Sequence, residues 1–169
     1  MAIITPDETV LGLLADQPRH GYELLEVFNT PDQLGEVWNL STSQLYAVLK
    51  RLEQQAFITG TRVTSDHAPP RIEYTLTPEG KNRLLLWLYE KHPSASVRRI
   101  RVEFLSRLYI ARRLNLADKV IIQYQQTACE QHLAELRLYH ATFSPGIGQT
   151  AVDMVITQLE AIIIWLNRC

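Results

Sequence analysis

The stretch LSTSQLYAVLKRLEQQAFITG, Leu40 to Gly60, restricts the fold more than any other part of the chain. Ser41 followed three residues later by Gln44 is a reciprocal capping pair, which opens a helix. Leu45, Val48, Leu49 and Leu52 then recur at i, i+3, i+4 and i+7, so that helix buries one stripe. Thr42, Ser43, Tyr46, Ala47 and Lys50 are left on the opposite side. The helix gives way at once to FITGTRVTS (Phe57–Ser65) and RIEYTLT (Arg71–Thr77), both rich in β-branched and aromatic residues. Asp66, His67, Ala68, Pro69 and Pro70 separate them, which predicts a hairpin with a stiff tip.

Two short helices precede this unit. TPDE at Thr5–Glu8 reads as a helix start: Thr5 caps, Pro6 fits the first turn, and Glu8 closes a capping box. Val10, Leu11, Leu13 and Leu14 supply its apolar face, and Gln17-Pro18-Arg19 stops it. A second helix is expected from His20 to Asn29, burying Tyr22, Leu24, Leu25 and Phe28 and ending at Thr30-Pro31-Asp32. After the hairpin, Thr77-Pro78-Glu79 repeats the cap and proline signal and opens a fourth helix with Leu84, Leu85, Trp87 and Leu88.

His92-Pro93-Ser94-Ala95-Ser96 marks a boundary, dividing the chain into residues 1–91 and 92–169. Beyond it the pattern is wholly helical. Val97–Leu114 is one helix with Ile100, Phe104, Leu105 and Leu108 inside and Arg98, Arg99, Arg107, Arg112 and Arg113 around it. Asn115, with Asp118 three residues on, is expected to cap a long helix to Phe143. A turn at Ser144–Gly148 leads to a last amphipathic helix carrying Val152, Val155, Ile156, Leu159, Ile162, Ile163 and Leu166.

Composition removes several classes of function. The 169 residues are 46% hydrophobic and 21% charged, which suits a globular protein rather than a disordered one. No basic leader and no span of 18 to 20 apolar residues is read in the sequence, so the expectation is a cytoplasmic protein without a membrane segment. Cys129 and Cys169 lie far apart with no CxxC spacing, which fits reduced thiols. Net charge is −1. Residues 1–88 hold 7 Lys+Arg against 11 Asp+Glu, and residues 89–169 hold 10 against 7. Attraction of the first half to nucleic acid must therefore be local rather than global.

Three helices followed by a two-stranded hairpin is the layout of a winged helix-turn-helix domain, in which the third helix enters the major groove and the hairpin lies along the backbone. The fold class is thus mainly α with a small β-hairpin, plus a C-terminal helical dimerisation region. Hydroxyls and unpaired N–H groups at a helix N-terminus suit phosphate oxygens. The DNA-binding set is accordingly Ser41, Thr42, Ser43, Gln44, Tyr46 and Lys50 on the helix, with Arg62 and Arg71 on the hairpin. A core-flanking place for Tyr46, and a merely solvated face for Lys50 and Arg51, are the plainer alternatives.

The segments LGLLADQPRHGYEL (Leu11–Leu24), STSQLYAVLKRLEQQAFI (Ser41–Ile58) and PRIEYTLTPEGKNRLLLWL (Pro70–Leu88) resemble the PadR-like transcriptional regulators. The resemblance implies a dimeric repressor that binds double-stranded DNA through the helix bearing Ser43, Tyr46 and Lys50. It also implies a helical region that completes the dimer, and in some members a small hydrophobic or aromatic effector. The wing here departs from the family pattern, since Asp66–Arg71 carries a single arginine and an acid and lacks the glycine and multiple basic residues expected there.

The apolar spacing of the last two helices predicts that they pair with a second chain, with packing inside one chain as the alternative, and the expected homodimer interface comprises Trp87, Phe104, Leu133, Leu136, Ile156, Leu159 and Ile163. An aromatic effector is placed near Trp87. Cys129, His132 and His140 approach one helical face but lack ligand spacing for zinc, so no metal or other cofactor is expected. No nucleophile elbow, paired carboxylate cleft or phosphate-binding glycine loop is present, so the chain reads as a non-enzyme. The alternative function is a winged-helix module for protein contacts, or a ligand sensor with little specific DNA binding.

Overall fold

The computed structural model describes residues 4–65 and 68–169. Helix α1 (Asp7–Asp16) is followed by a two-residue strand β1 (Arg19–His20), α2 (Gly21–Asn29) and a π-helical turn at Pro31–Gly35. Helix α3 (Thr42–Gln54) leads into β2 (Ile58–Ser65), β3 (Ala68–Leu76) and α4 (Pro78–Leu88). Strand β3 is central in the antiparallel order β1-β3-β2, with Ile58 opposite Leu76, Arg62 opposite Ile72 and Arg19 opposite Tyr74. Three helices and a hairpin in this arrangement make a winged helix-turn-helix unit. The expected wing tip includes Asp66 and His67, which lie outside the described residues.

Local signals explain most of these elements. Ser41 Oγ accepts from the Gln44 amide at 3.3 Å, while the Ser41 amide donates to Gln44 Oε1 at 2.8 Å. Thr77 Oγ1 accepts from the Gly80 amide at 3.1 Å and also donates to the carbonyl of Phe57, so one residue caps α4 and ties it to the base of the hairpin. A Cβ on Gly80 would overlap the Phe57 carbonyl oxygen, so only glycine permits this approach.

Several expectations fail for identifiable reasons. The capping box at α1 does not form: Asp7 is the first helical residue, its carboxylate takes Arg51, and Glu8 takes Arg83. Distant guanidinium partners outcompete a local amide for both acids. Tyr22 is half exposed, since the buried side of α2 is made by Gly21, Leu24, Val27 and Phe28. Asn115 does not cap the long helix. It takes φ 53° after the preceding helix, where asparagine tolerates the left-handed region.

The C-terminal region begins with α5 (Val97–Arg99), which continues through a π-helical segment (Ile100–Phe104) into α6 (Leu105–Arg113). Then α7 (Asp118–His140) and α8 (Ile147–Leu166) pack as a hairpin of helices. Ile100, Phe104, Leu108 and Ile110 all face inward along the α5–α6 stretch. Arg107 is enclosed as well, contrary to its expected place on the outer face. A single apolar cluster runs from Val10 and Leu11 through Leu49 and Leu84 to Phe104, Ile110 and Leu166.

Candidate nucleic-acid interface

Helix α3 separates its two faces cleanly. Leu45 and Leu49 are 0% exposed, while Thr42, Ser43, Tyr46, Ala47 and Lys50 are open to solvent. Ser41 and Gln44 are also exposed, but their polar groups are engaged with each other in the cap. Ser41 Oγ also lies 3.1 Å from Ser43 Oγ. Within the expected set, Thr42, Ser43, Tyr46 and Lys50 are thus the side chains presented for outside contact.

Tyr46 is braced as well as exposed. A Cβ on Gly21 would stand 2.8 Å from its hydroxyl oxygen and 2.9 Å from Cζ, so the phenol lies against the bare backbone at the start of α2. Glycine at this position lets two helices meet at an aromatic ring. The plainer reading of Tyr46 and the functional one therefore coexist: the ring is held on one side and open on the other.

The hairpin stands beside this surface. Arg62 on β2 and Arg71 on β3 are both exposed. Arg71 reaches back to α2: its Cζ is 5.4 Å from the centre of the Tyr22 ring and its Nη1 donates to the Tyr22 hydroxyl at 3.3 Å. His20 stacks on Tyr22 with centroids 5.7 Å apart, and its Nδ1 is 2.9 Å from the Ile72 carbonyl oxygen. Together, His20, Tyr22 and Arg71 bind the wing to the start of α2. Sequence reasoning missed this clasp because cross-element pairing of β1 with β3 has no local signature; the available signal was HGYEL, two aromatic rings flanking a glycine ahead of a helix.

Nearby charges serve the scaffold. Arg51, adjacent to Lys50, makes two bonds to Asp7 at 2.9 and 2.7 Å, joining α3 to α1. Burial alone would raise the Asp7 pKa, but the Arg51 guanidinium outweighs it and holds the carboxyl below its ordinary value. Asp16 likewise sits below the usual carboxylate range, since Arg19 and Arg113 together overcome its partial burial. Glu53 Oε1 accepts from the Gly60 amide at 2.9 Å, fixing the start of the wing on α3.

The expected dimer residues divide into two groups. Phe104, Leu133, Ile156 and Leu159 are buried within one chain, Phe104 edge-on to Trp165 and the other three in the shared core. Their apolar faces are taken up by neighbouring helices of the same chain, which the heptad pattern could not distinguish from a partner. Trp87, Leu136 and Ile163 are half-buried. Leu86, Leu138, Tyr139, Ile147, Met154 and Ile164 are exposed instead. Helix α8 is long and apolar enough, by length and composition, to cross a membrane, which the sequence reading did not anticipate. It carries Asp153 and Glu160, and Glu160 accepts from Arg137 of α7 at 2.7 Å.

Cys129 is buried beside Gln125, whereas His132 lies beside Glu135. The described residues contain no group of three or more His, Cys, Asp or Glu side chains arranged to hold a metal ion.

An open third helix, a hairpin clasped beside it and a continuous core beneath define a winged helix-turn-helix protein. Residues 10–85, somewhat under half of the chain, match the sequence model of the transcriptional regulator PadR-like family, which this unit resembles. It is 32% identical over 100 residues to the negative transcriptional regulator PadR of Bacillus subtilis, covering 59% of this chain and 53% of that protein. A probable transcriptional regulator of Mycobacterium tuberculosis is 27% identical over 81 residues, covering 48% and 42% respectively. The chain spans about half the length of these curated relatives. The crystal structure of Bacillus subtilis PadR in complex with operator DNA aligns with 96% of this chain and 94% of that one, at 23% identity and a TM-score of 0.49.

Proposed function

We propose that this protein is a sequence-specific, DNA-binding transcriptional regulator that acts in the cytoplasm as a homodimer on a palindromic operator. The observation that carries the reading is α3 itself, which exposes Thr42, Ser43, Tyr46 and Lys50 along one face while a complete leucine and valine stripe anchors the other. Hydroxyls near the helix N-terminus suit phosphate oxygens, and Tyr46 and Lys50, one and two turns on, suit base edges or further phosphates. Arg62 and Arg71 extend the same surface along the wing. Repression is the direction suggested by the relative's description as a negative regulator.

In this reading residues 1–91 contact DNA and residues 92–169 form the dimer. The exposed side of α8, with Met154 and Ile164, and the outer face of α7, with Leu138 and Tyr139, leave apolar area that a second copy would cover. A two-fold dimer places two α3 helices about one DNA turn apart, which matches a palindrome.

Fluorescence anisotropy with the chain's own upstream DNA against a scrambled duplex, over a range of salt, tests the reading. A preference of at least about a thousandfold with a steep salt slope is expected. Replacing Ser43, Tyr46 and Lys50 by Ala abolishes that preference without changing the mass of the assembly. Unchanged affinity of the triple variant refutes the assignment.

A further inference from the structure

Between the open face of α3 and the wing runs a continuous row of side chains. Tyr46 of α3 lies against Gly21, and the flanking residues His20 and Tyr22 carry the row on to Arg71 of β3. A duplex that touches both α3 and the wing passes over His20 and Tyr22. Arg71 is held ready for an anion. It is exposed, and among the described residues no carboxylate pairs with it, unlike Arg51, Arg83 and Arg113. The Tyr22 ring and hydroxyl fix the guanidinium in place and leave most of its N–H donors open.

The ring of His20 is half-buried, and its Nδ1 lies 2.9 Å from the Ile72 carbonyl oxygen. A carbonyl only accepts, so Nδ1 carries the proton and Nε2 of the neutral ring is a bare lone pair. No described residue bonds to that Nε2. A phosphate oxygen also only accepts, so neutral His20 repels it, whereas the imidazolium donates a charge-assisted bond. Switching tautomers would supply an Nε2 proton only by breaking the bond to Ile72. The surrounding charges act in both directions. Glu23 on α2, whose carboxylate accepts from the His20 amide at 2.7 Å, and Glu73, opposite His20 on β3, favour the cation. Arg71, reaching the same Tyr22 ring, opposes a second positive charge until an anion arrives between them. Arg19, the other residue of β1, is spent on Asp16, and α3 contributes the Tyr46 phenol at Gly21.

We infer that His20 takes up a proton from solvent at Nε2 as DNA binds and, together with Arg71, holds one backbone phosphate beside Tyr22. Affinity for DNA is then proton-linked and rises as pH falls through the range where histidine charges. The inference rests on the proposed function for its operator, but the contact is to phosphate and needs no particular base sequence.

The test measures fluorescence anisotropy of the intact protein with its upstream duplex and with a scrambled duplex, over a range of pH and salt. Both dissociation constants are expected to fall at least about threefold from about pH 8 to about pH 6. The plot of log Kd against log salt steepens by about one unit at the lower pH, because one further phosphate charge is neutralised. His20→Asn keeps an amide donor for the Ile72 carbonyl at the place of Nδ1 but cannot take the proton. It loses both effects and binds like the parent near the upper pH. His20→Gln repeats the test in case the Asn variant folds poorly, and calorimetry of the parent in buffers of different ionisation enthalpy reads the proton uptake with no variant at all. Parent affinity independent of pH, no proton uptake, or full pH dependence in both variants overturns the inference. A pH effect on the scrambled duplex with no preference for the upstream one leaves the His20 contact standing and refutes the operator reading alone.

Discussion

Gly12→Ala sets two effects against each other whose balance follows from the fold. Gly12 lies in α1, where replacing glycine by alanine favours the helix by about 1 kcal/mol. Yet an added Cβ would overlap Ile110 Cγ2 and stand 2.8 Å from both Cγ1 and Cδ1. Ile110 is 0% exposed in α6, and a β-branched side chain in a helix has essentially one χ1 rotamer, so it cannot turn aside. Overpacking of this kind costs about 1–3 kcal/mol, and the rigidity of the neighbour puts this site toward the upper end. The clash therefore wins, with a net loss of about 1–2 kcal/mol. For a chain of this length that is roughly 3–6 °C in Tm. Urea unfolding followed by circular dichroism reads the same loss as a lower midpoint at constant slope. Adding Ile110→Ala makes room for the new methyl, so the double variant is more stable than the sum of the single losses by at least about 1 kcal/mol. A Gly12→Ala protein as stable as the parent refutes the close approach of α1 and α6.

Three other outcomes are expected. Ser41→Ala destabilises the protein by about 1 kcal/mol through the lost α3 cap, read by denaturant midpoint. The depressed Asp7 pKa implies stability that is present above its ordinary value of 3.8 and is lost as pH falls through the lower, folded value. Arg51→Met strands the buried carboxylate and costs about 1–3 kcal/mol at neutral pH, less than a fully buried pair because Arg51 is partly solvated. Its Asp7 pKa then lies above the unfolded value, so melting curves from pH 7 to pH 4 show the deficit narrowing as the acid protonates. A constant deficit would refute the pairing. Introducing Asp at both Met154 and Ile164 converts the proposed dimer to monomer in light scattering while leaving the helical signal intact, and a persistent dimer would move the interface away from α8.

The N-terminal unit was legible because its signals are local. The cap at Ser41, the stripe from Leu45 to Leu52, the β-rich runs and the Thr77-Pro78 start each concern residues within a few positions of one another, and each formed. The same reasoning marked Thr42, Ser43, Tyr46 and Lys50 as an outer face, which is where they stand. It missed the local competition at α1, because Asp7 and Glu8 suited a cap by sequence while Arg51 and Arg83 stood close only in space. It also placed Arg107 on the outer face, although its spacing from Ile100 and Phe104 puts it on the stripe that a helix buries, and missed the π-helical segment at Ile100–Phe104.

The sequence by itself thus determined the order of elements, the winged-helix layout and the solvent face of α3, because caps, periodicity and β propensity act over short separations. Only the tertiary structure decided which ionic groups meet, and with them the bracing of Tyr46 against Gly21, the His20–Tyr22–Arg71 clasp and the enclosure of Arg107. The physical reason is that an apolar stripe records that it must be buried but not against what. A charge records even less, since its partner is chosen by the distance and dielectric that the packed chain creates.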